Sequence, residues 1–93
     1  MFFLKRNLEM KDIMICLDPS SLDTFGKRMR AVRRWHGITQ KALAEEIHVT
    51  QEAISTYEHD KIMPSLKTAL LIADALHTTI AFLSCITDNP NEK

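Results

Sequence analysis

Between residues 23 and 86 the apolar positions recur at helical rather than strand spacing. Phe25, Met29, Val32 and His36 fall at i, i+4, i+7 and i+11, one stripe along an amphipathic helix. Gly37 follows, where a helix end calls for a left-handed residue. Thr39 has the hydroxyl of an N-cap for a second helix carrying Ala42, Leu43, Ala44 and Ile47. His48-Val49 leaves room only for a tight connection before Thr50, the predicted cap of a third helix with Ala53, Ile54 and Tyr57 inward. A loop from Asp60 ends at Pro64-Ser65. A fourth helix is predicted from about Leu66 to Leu76, with Leu66, Ala69, Leu70, Ile72, Ala73 and Leu76 as its apolar positions. Thr78 or Thr79 caps a last short helix with Ile80, Phe82, Leu83 and Ile86. At the front, Asp23 or Ser21 is expected to cap the first helix.

The periodic region is flanked by segments of different character. Residues 1–22 read as an N-terminal arm, with the run Ile13 to Leu17 suited to a short strand or a packed extended segment. Asp18-Pro19-Ser20-Ser21 is a turn cluster, and residues 87–93 are a polar tail. With 93 residues there is room for one domain, and two Gly and three Pro argue for helices over a turn-rich β fold. The expected architecture is therefore a small all-α bundle over residues 23–86. Cys16 and Cys85 lie too far apart to read as a disulfide scaffold and are expected to be reduced, in the cytoplasm. Met-Phe-Phe-Leu-Lys-Arg places its apolar residues ahead of its charges, which is not a signal-peptide order, and no apolar run has the length of a membrane span.

The net charge is zero, so a broad basic surface is excluded, yet the charge is segregated. Residues 23–36 hold Lys27, Arg28, Arg30, Arg33 and Arg34 against Asp23 alone. Residues 37–60 hold Lys41 against Glu45, Glu46, Glu52, Glu58 and Asp60. On charge alone, Arg28, Arg30 and Arg34 read as a solvated helix face.

The chemistry concentrates in residues 39–55, where two short helices meet across a very short turn. Ala44 is small where the helices must cross closely, and Val49 and Ile54 plug the angle between them. That arrangement lets the third helix protrude far enough to enter a groove about 12 Å wide. With Phe25-Gly26-Lys27-Arg28-Met29-Arg30, Gly37-Ile38-Thr39-Gln40, Leu43-Ala44, Thr50-Gln51, Ile54-Ser55, Tyr57-Glu58, Pro64-Ser65-Leu66 and Ala73-Asp74-Ala75-Leu76 in this order, residues 23–86 resemble the Cro and phage-repressor (XRE-type) helix-turn-helix family.

The resemblance implies an all-α, five-helix, lambda-repressor-like DNA-binding domain that acts as a homodimer on near-palindromic double-stranded DNA, without a cofactor. It implies base reading by Gln51, the first residue of the third helix, together with Glu52, Ser55 and Thr56 on the same face. Gln40, Thr50, Lys61 and Arg28 are implied phosphate contacts, and Arg33 and Glu58 an ion pair joining the first helix to the third. Trp35 and Phe82 stand where the family usually keeps polar residues. With Ile86 they are the expected dimer interface, and the 13–17 run is a further candidate contact. The family commonly has Gly where this chain has His48, Asp60 and His77. A non-Gly residue in left-handed backbone costs on the order of 1 kcal/mol.

The function this implies is sequence-specific transcriptional regulation, as a repressor. A rival reading is an antitoxin whose arm wraps a toxin, with an antirepressor as the other class of protein partner. Another is a protein-interaction module on the same fold, which zero net charge and Glu52 favour and Gln40 and Gln51 oppose. His36, His48, His59 and His77 show no ligand spacing with one another or with a Cys, and no Ser-His-Asp or Cys-His grouping can be assembled. Neither a metal site nor an enzyme is expected.

Overall fold

A computed structural model of the chain describes residues 22–87, so the expectations for the arm up to Ser21, for Cys16 and for the tail beyond Thr87 lie outside the described residues. The described residues form five helices and no strands: α1 (Phe25–Trp35), α2 (Gln40–Ile47), α3 (Gln51–Glu58), α4 (Leu66–Ala75) and α5 (Ile80–Leu83). No described helix is long and apolar enough to cross a membrane.

Each helix starts on a hydroxyl. Thr24, Thr39, Thr50, Ser65 and Thr79 sit in extended backbone, and each side chain accepts from the amide three residues on. This satisfies one of the otherwise orphaned N–H groups of the first turn. At α1 the cap is Thr24, not Asp23 or Ser21. Asp23 instead accepts from Lys27 Nζ at 3.0 Å on the surface, and that hydrogen bond lowers its carboxyl from the ordinary value.

Each helix also stops in one way. Gly37, His48, Asp60, His77 and Cys85 have φ of 71°, 62°, 58°, 56° and 65°. The amide after each reaches back to the carbonyl five residues earlier: Ile38 to Arg33, Val49 to Ala44, Lys61 to Thr56, Thr78 to Ala73 and Ile86 to Ala81. This is the Schellman closure, and only one of the five uses glycine.

The core gathers Phe25, Met29 and Val32 of α1, Leu43, Ala44 and Ile47 of α2, and Ile54 of α3. It is completed by Ala69, Ile72 and Ala73 of α4, then Leu76, Phe82 and Leu83. Trp35, Val49 and Tyr57 pack half-buried against it. Of the predicted apolar positions of α4, Leu66 and Leu70 are not in the core but are 70% and 48% exposed. Leu22, the last residue of the predicted arm, is buried.

Two sequence expectations fail here for one shared reason. Arg28 is only 5% exposed and cannot serve as a phosphate contact. Its Nε donates to Leu22 O at 2.7 Å, and its Nη1 to Phe82 O at 2.8 Å and Thr87 O at 2.7 Å. Phe82 is 2% exposed, so it is no dimer contact. Its ring lies under the Arg28 guanidinium, 4.6 Å from centroid to Cζ. The pair ties the segments before α1 and after α5 to the body.

Candidate nucleic-acid interface

The helix-turn-helix is held from behind by a buried charge cluster. The Arg33 guanidinium on α1 donates Nε to Glu58 Oε2 at 2.5 Å and Nη2 to Oε1 at 3.2 Å, a two-pronged pair with side chains 10% and 1% exposed. Arg33 Nη1 also donates to Ile38 O at 2.7 Å, in the α1–α2 connection. Gln40 Nε2, at the start of α2, donates to Glu58 Oε1 at 3.0 Å. One carboxylate at the end of α3 thus joins α1 and α2. Buried charges with their bonds satisfied are hard to displace, because any rearrangement strands a charge.

A second contact closes the same end. Asp60, just past α3, accepts from Gly26 N at 2.8 Å and from the Thr24 hydroxyl at 2.6 Å, so it caps α1 from outside. The approach is close: a Cβ on Gly26 would come within 2.5 Å of the carbonyl oxygens of both Tyr57 and Glu58. Only glycine lets α1 touch the last turn of α3 there.

The front of α3 is open. Thr50, Gln51 and Glu52 are exposed, and Ser55 and Thr56 are half-buried. The Thr50 hydroxyl accepts from Ala53 N at 3.0 Å and keeps its proton for an outside acceptor. Behind this front Ile54 is fully buried and turns the opposite face inward. Lys61 is exposed just beyond α3. Gln40 has one amide hydrogen on Glu58; a primary amide nitrogen has a second. Lys41, exposed in the first turn of α2, is a further cation beside Gln40, and that adjacency is the sequence signal for it.

The remaining sequence candidates lie elsewhere. Trp35 packs half-buried against the core, and Ile86 is 80% exposed. Folding brings His36 and His77 together edge to face, 5.5 Å between ring centroids, although nothing in their sequence spacing announced it. Among the described residues, no three His, Cys, Asp or Glu side chains gather to hold a metal ion.

Residues 29–83 match the helix-turn-helix family model. The chain belongs to the helix-turn-helix family, of the Cro and phage-repressor type. The fold is that of the P22 c2 repressor: its crystal structure with a synthetic operator superposes at a TM-score of 0.65 and 31% identity, over 67% of this chain and 94% of that one. The solution structure of that repressor's DNA-binding domain gives 0.64, again at 31% identity, over 67% of this chain and 82% of that one. Among curated relatives, the immunity repressor of Bacillus phage phi105 is 36% identical over 53 residues, 57% of this chain. The HTH-type transcriptional regulator YobD of Bacillus subtilis (strain 168) is 27% identical over 67 residues, 72% of this chain. The matches span 37% of the phage repressor and 60% of YobD, so the chain covers only part of the length of these relatives.

Proposed function

We propose that this helix-turn-helix chain binds double-stranded operator DNA sequence-specifically and represses transcription, with α3 entering the major groove. The observation that carries the reading is the build of α3, a polar, exposed amino end on a helix whose carboxyl end is locked by the buried Arg33–Glu58 pair and the half-buried Gln40 amide. A reading element needs that pairing, because base contacts discriminate only when the helix cannot tilt to accommodate a wrong base. The P22 c2 repressor, which shares the fold, was solved with a synthetic operator, and the phage phi105 relative is an immunity repressor.

In this reading Gln51 spans adenine N7 and N6, because its amide offers one donor and one acceptor. The second amide hydrogen of Gln40, the Thr50 hydroxyl and the Lys61 ammonium donate to phosphates and set the register. The protein works in the cytoplasm as a homodimer, with two copies of α3 about 34 Å apart, one turn of DNA. Ile86 contributes to the interface; Phe82, spent inside the protomer, does not.

The test is a binding titration on DNA upstream of the chain's own gene and on a scrambled duplex. The protein is expected to prefer the upstream DNA and to bind as two protomers per duplex. Gln51→Ala is expected to erase about 1–3 kcal/mol of that preference per half-site and to leave the scrambled duplex unaffected. Equal affinity of the wild-type protein for both duplexes sinks the reading.

A further inference from the structure

The outward face of α3 beyond Gln51 is poor in hydrogen-bond donors. Glu52, Ser55, Thr56 and His59 follow at i, i+3, i+4 and i+7, so they share one face of the helix and its cap. Neither Lys nor Arg occurs between Gln51 and Glu58. An ionised Glu52 carboxylate only accepts. The Thr56 hydroxyl has committed its proton, donating to Glu52 O at 2.8 Å, so lone pairs and a methyl group are what it turns outward. His59 Nδ1 lies 2.8 Å from Ser55 O. A carbonyl oxygen only accepts, so Nδ1 carries a proton and spends it as a donor inside the helix. Ser55 Oγ lies 3.5 Å from the same Nδ1 and accepts in that contact, so beyond Gln51 its hydroxyl is the one on this stripe whose proton is not already committed.

The base edges sort against such a face. In the major groove guanine presents two acceptors, N7 and O6, and thymine presents O4, and all of these need donors from the protein. Cytosine presents the N4 amine and adenine the N6 amine, and these need acceptors. We propose that the α3 stripe beyond Gln51 is an acceptor face that selects exocyclic amino groups and rejects guanine, with Glu52 set against cytosine N4. The proposal rests on the reading of α3 as the DNA-reading helix and adds the chemistry of the bases it takes. A carboxylate among phosphates is tolerated only where a base amine meets it; against any other edge it is desolvated facing lone pairs, and binding is lost. Glu52 thereby contributes specificity chiefly by penalising wrong sites.

The experiment is selection from a randomised duplex library with the full chain and with Glu52→Gln, whose amide keeps one acceptor and adds a donor. The wild-type protein is expected to enrich a motif with a cytosine column, favoured about tenfold or more over the other bases. Glu52→Gln is expected to lose that cytosine and take adenine there, with the remaining columns unchanged. Because Glu52 is exposed, the variant is expected to unfold at the wild-type temperature, so a lost column is a lost contact. A motif identical for the two proteins overturns the assignment of Glu52 while leaving α3 as the reading helix. Failure of the wild-type protein to enrich any motif overturns both.

Discussion

At its carboxyl end α3 is enclosed. Glu58 is 4% exposed under Arg33 and Gln40, and Asp60 holds the first turn of α1. At its amino end, seven residues earlier, Thr50, Gln51 and Glu52 stand in solvent, held by a local cap in which Ala53 N donates to the Thr50 hydroxyl. One eight-residue helix is thus anchored at one end and, in the proposed function, reads DNA with the other. Such a helix is too short to be stable by itself. Its direction in space is set by what grips it, and the grip is applied where it does not obstruct the groove. The two ends therefore predict different consequences for substitution, one in stability and the other in recognition.

The largest effect is expected at Glu58. Glu58→Ala leaves the Arg33 guanidinium buried without its carboxylate and removes the acceptor that orients Gln40. A loss of about 3–5 kcal/mol is expected, the range for breaking a buried pair from one side. Denaturant unfolding measures it. A loss within about 0.5 kcal/mol, typical of a surface site, would mean that the carboxyl end is not the anchor.

How much of this contrast was legible in the sequence depends on how local each feature is. The caps at Thr39 and Thr50 and the left-handed stop at Gly37 announce themselves, because a cap or a helix stop is decided within a few residues; the last cap is narrowed only to Thr78 or Thr79, and the left-handed turns at His48, Asp60 and His77 show only through the family pattern. Cys85 adopts the same left-handed turn, φ 65°, without any local mark. Arg28 and Arg33 illustrate the limit. Both are basic residues on α1, five positions apart. No periodicity distinguishes a solvated arginine from one whose partners are the carbonyls of residues 22, 82 and 87. Gly26 was visible only as part of a family pattern, and its reason, the backbone of Tyr57 and Glu58 within 2.5 Å of a would-be Cβ, exists only once α1 and α3 have met.

Asp60 sharpens the comparison at an intermediate scale, because it has two opposing roles. Its backbone is strained at φ 58°, while its carboxylate receives Thr24 and Gly26. Asp60→Gly removes both the strain and the hydrogen bonds, and Asp60→Ala removes only the hydrogen bonds. The alanine variant is expected to be the less stable of the two by about 1 kcal/mol, the cost of a non-glycine residue in left-handed backbone. Both are expected below wild type, since the half-buried bond from Gly26 and the exposed one from Thr24 are worth about 0.5–1.5 kcal/mol each, and both end on a carboxylate at a helix start. If Asp60→Gly proves more stable than wild type, the aspartate is merely a strained substitute for glycine and α1 is not held through it.

The smallest effects on stability are expected at the amino end, and there the contrast meets its strictest test. Thr50→Ala removes an N-cap and is expected to cost about 1 kcal/mol. Gln51 has an exposed side chain at the first helical position, so Gln51→Ala is expected to leave the unfolding free energy within about 0.5 kcal/mol of wild type. Alanine is also the better helix former, which tilts even that small change toward stabilisation. DNA binding should reverse the order of the series. Gln51→Ala, the mildest variant for the fold, should be the most damaging for discrimination between operator and scrambled DNA. Residual folded Glu58→Ala, with its reading residues intact but α3 free to tilt, should bind both duplexes weakly. Thermal melts and titrations on the same preparations give the two rankings. If they run in parallel, so that each variant loses affinity only in proportion to its loss of folded protein, then α3 does not divide its two tasks between its two ends.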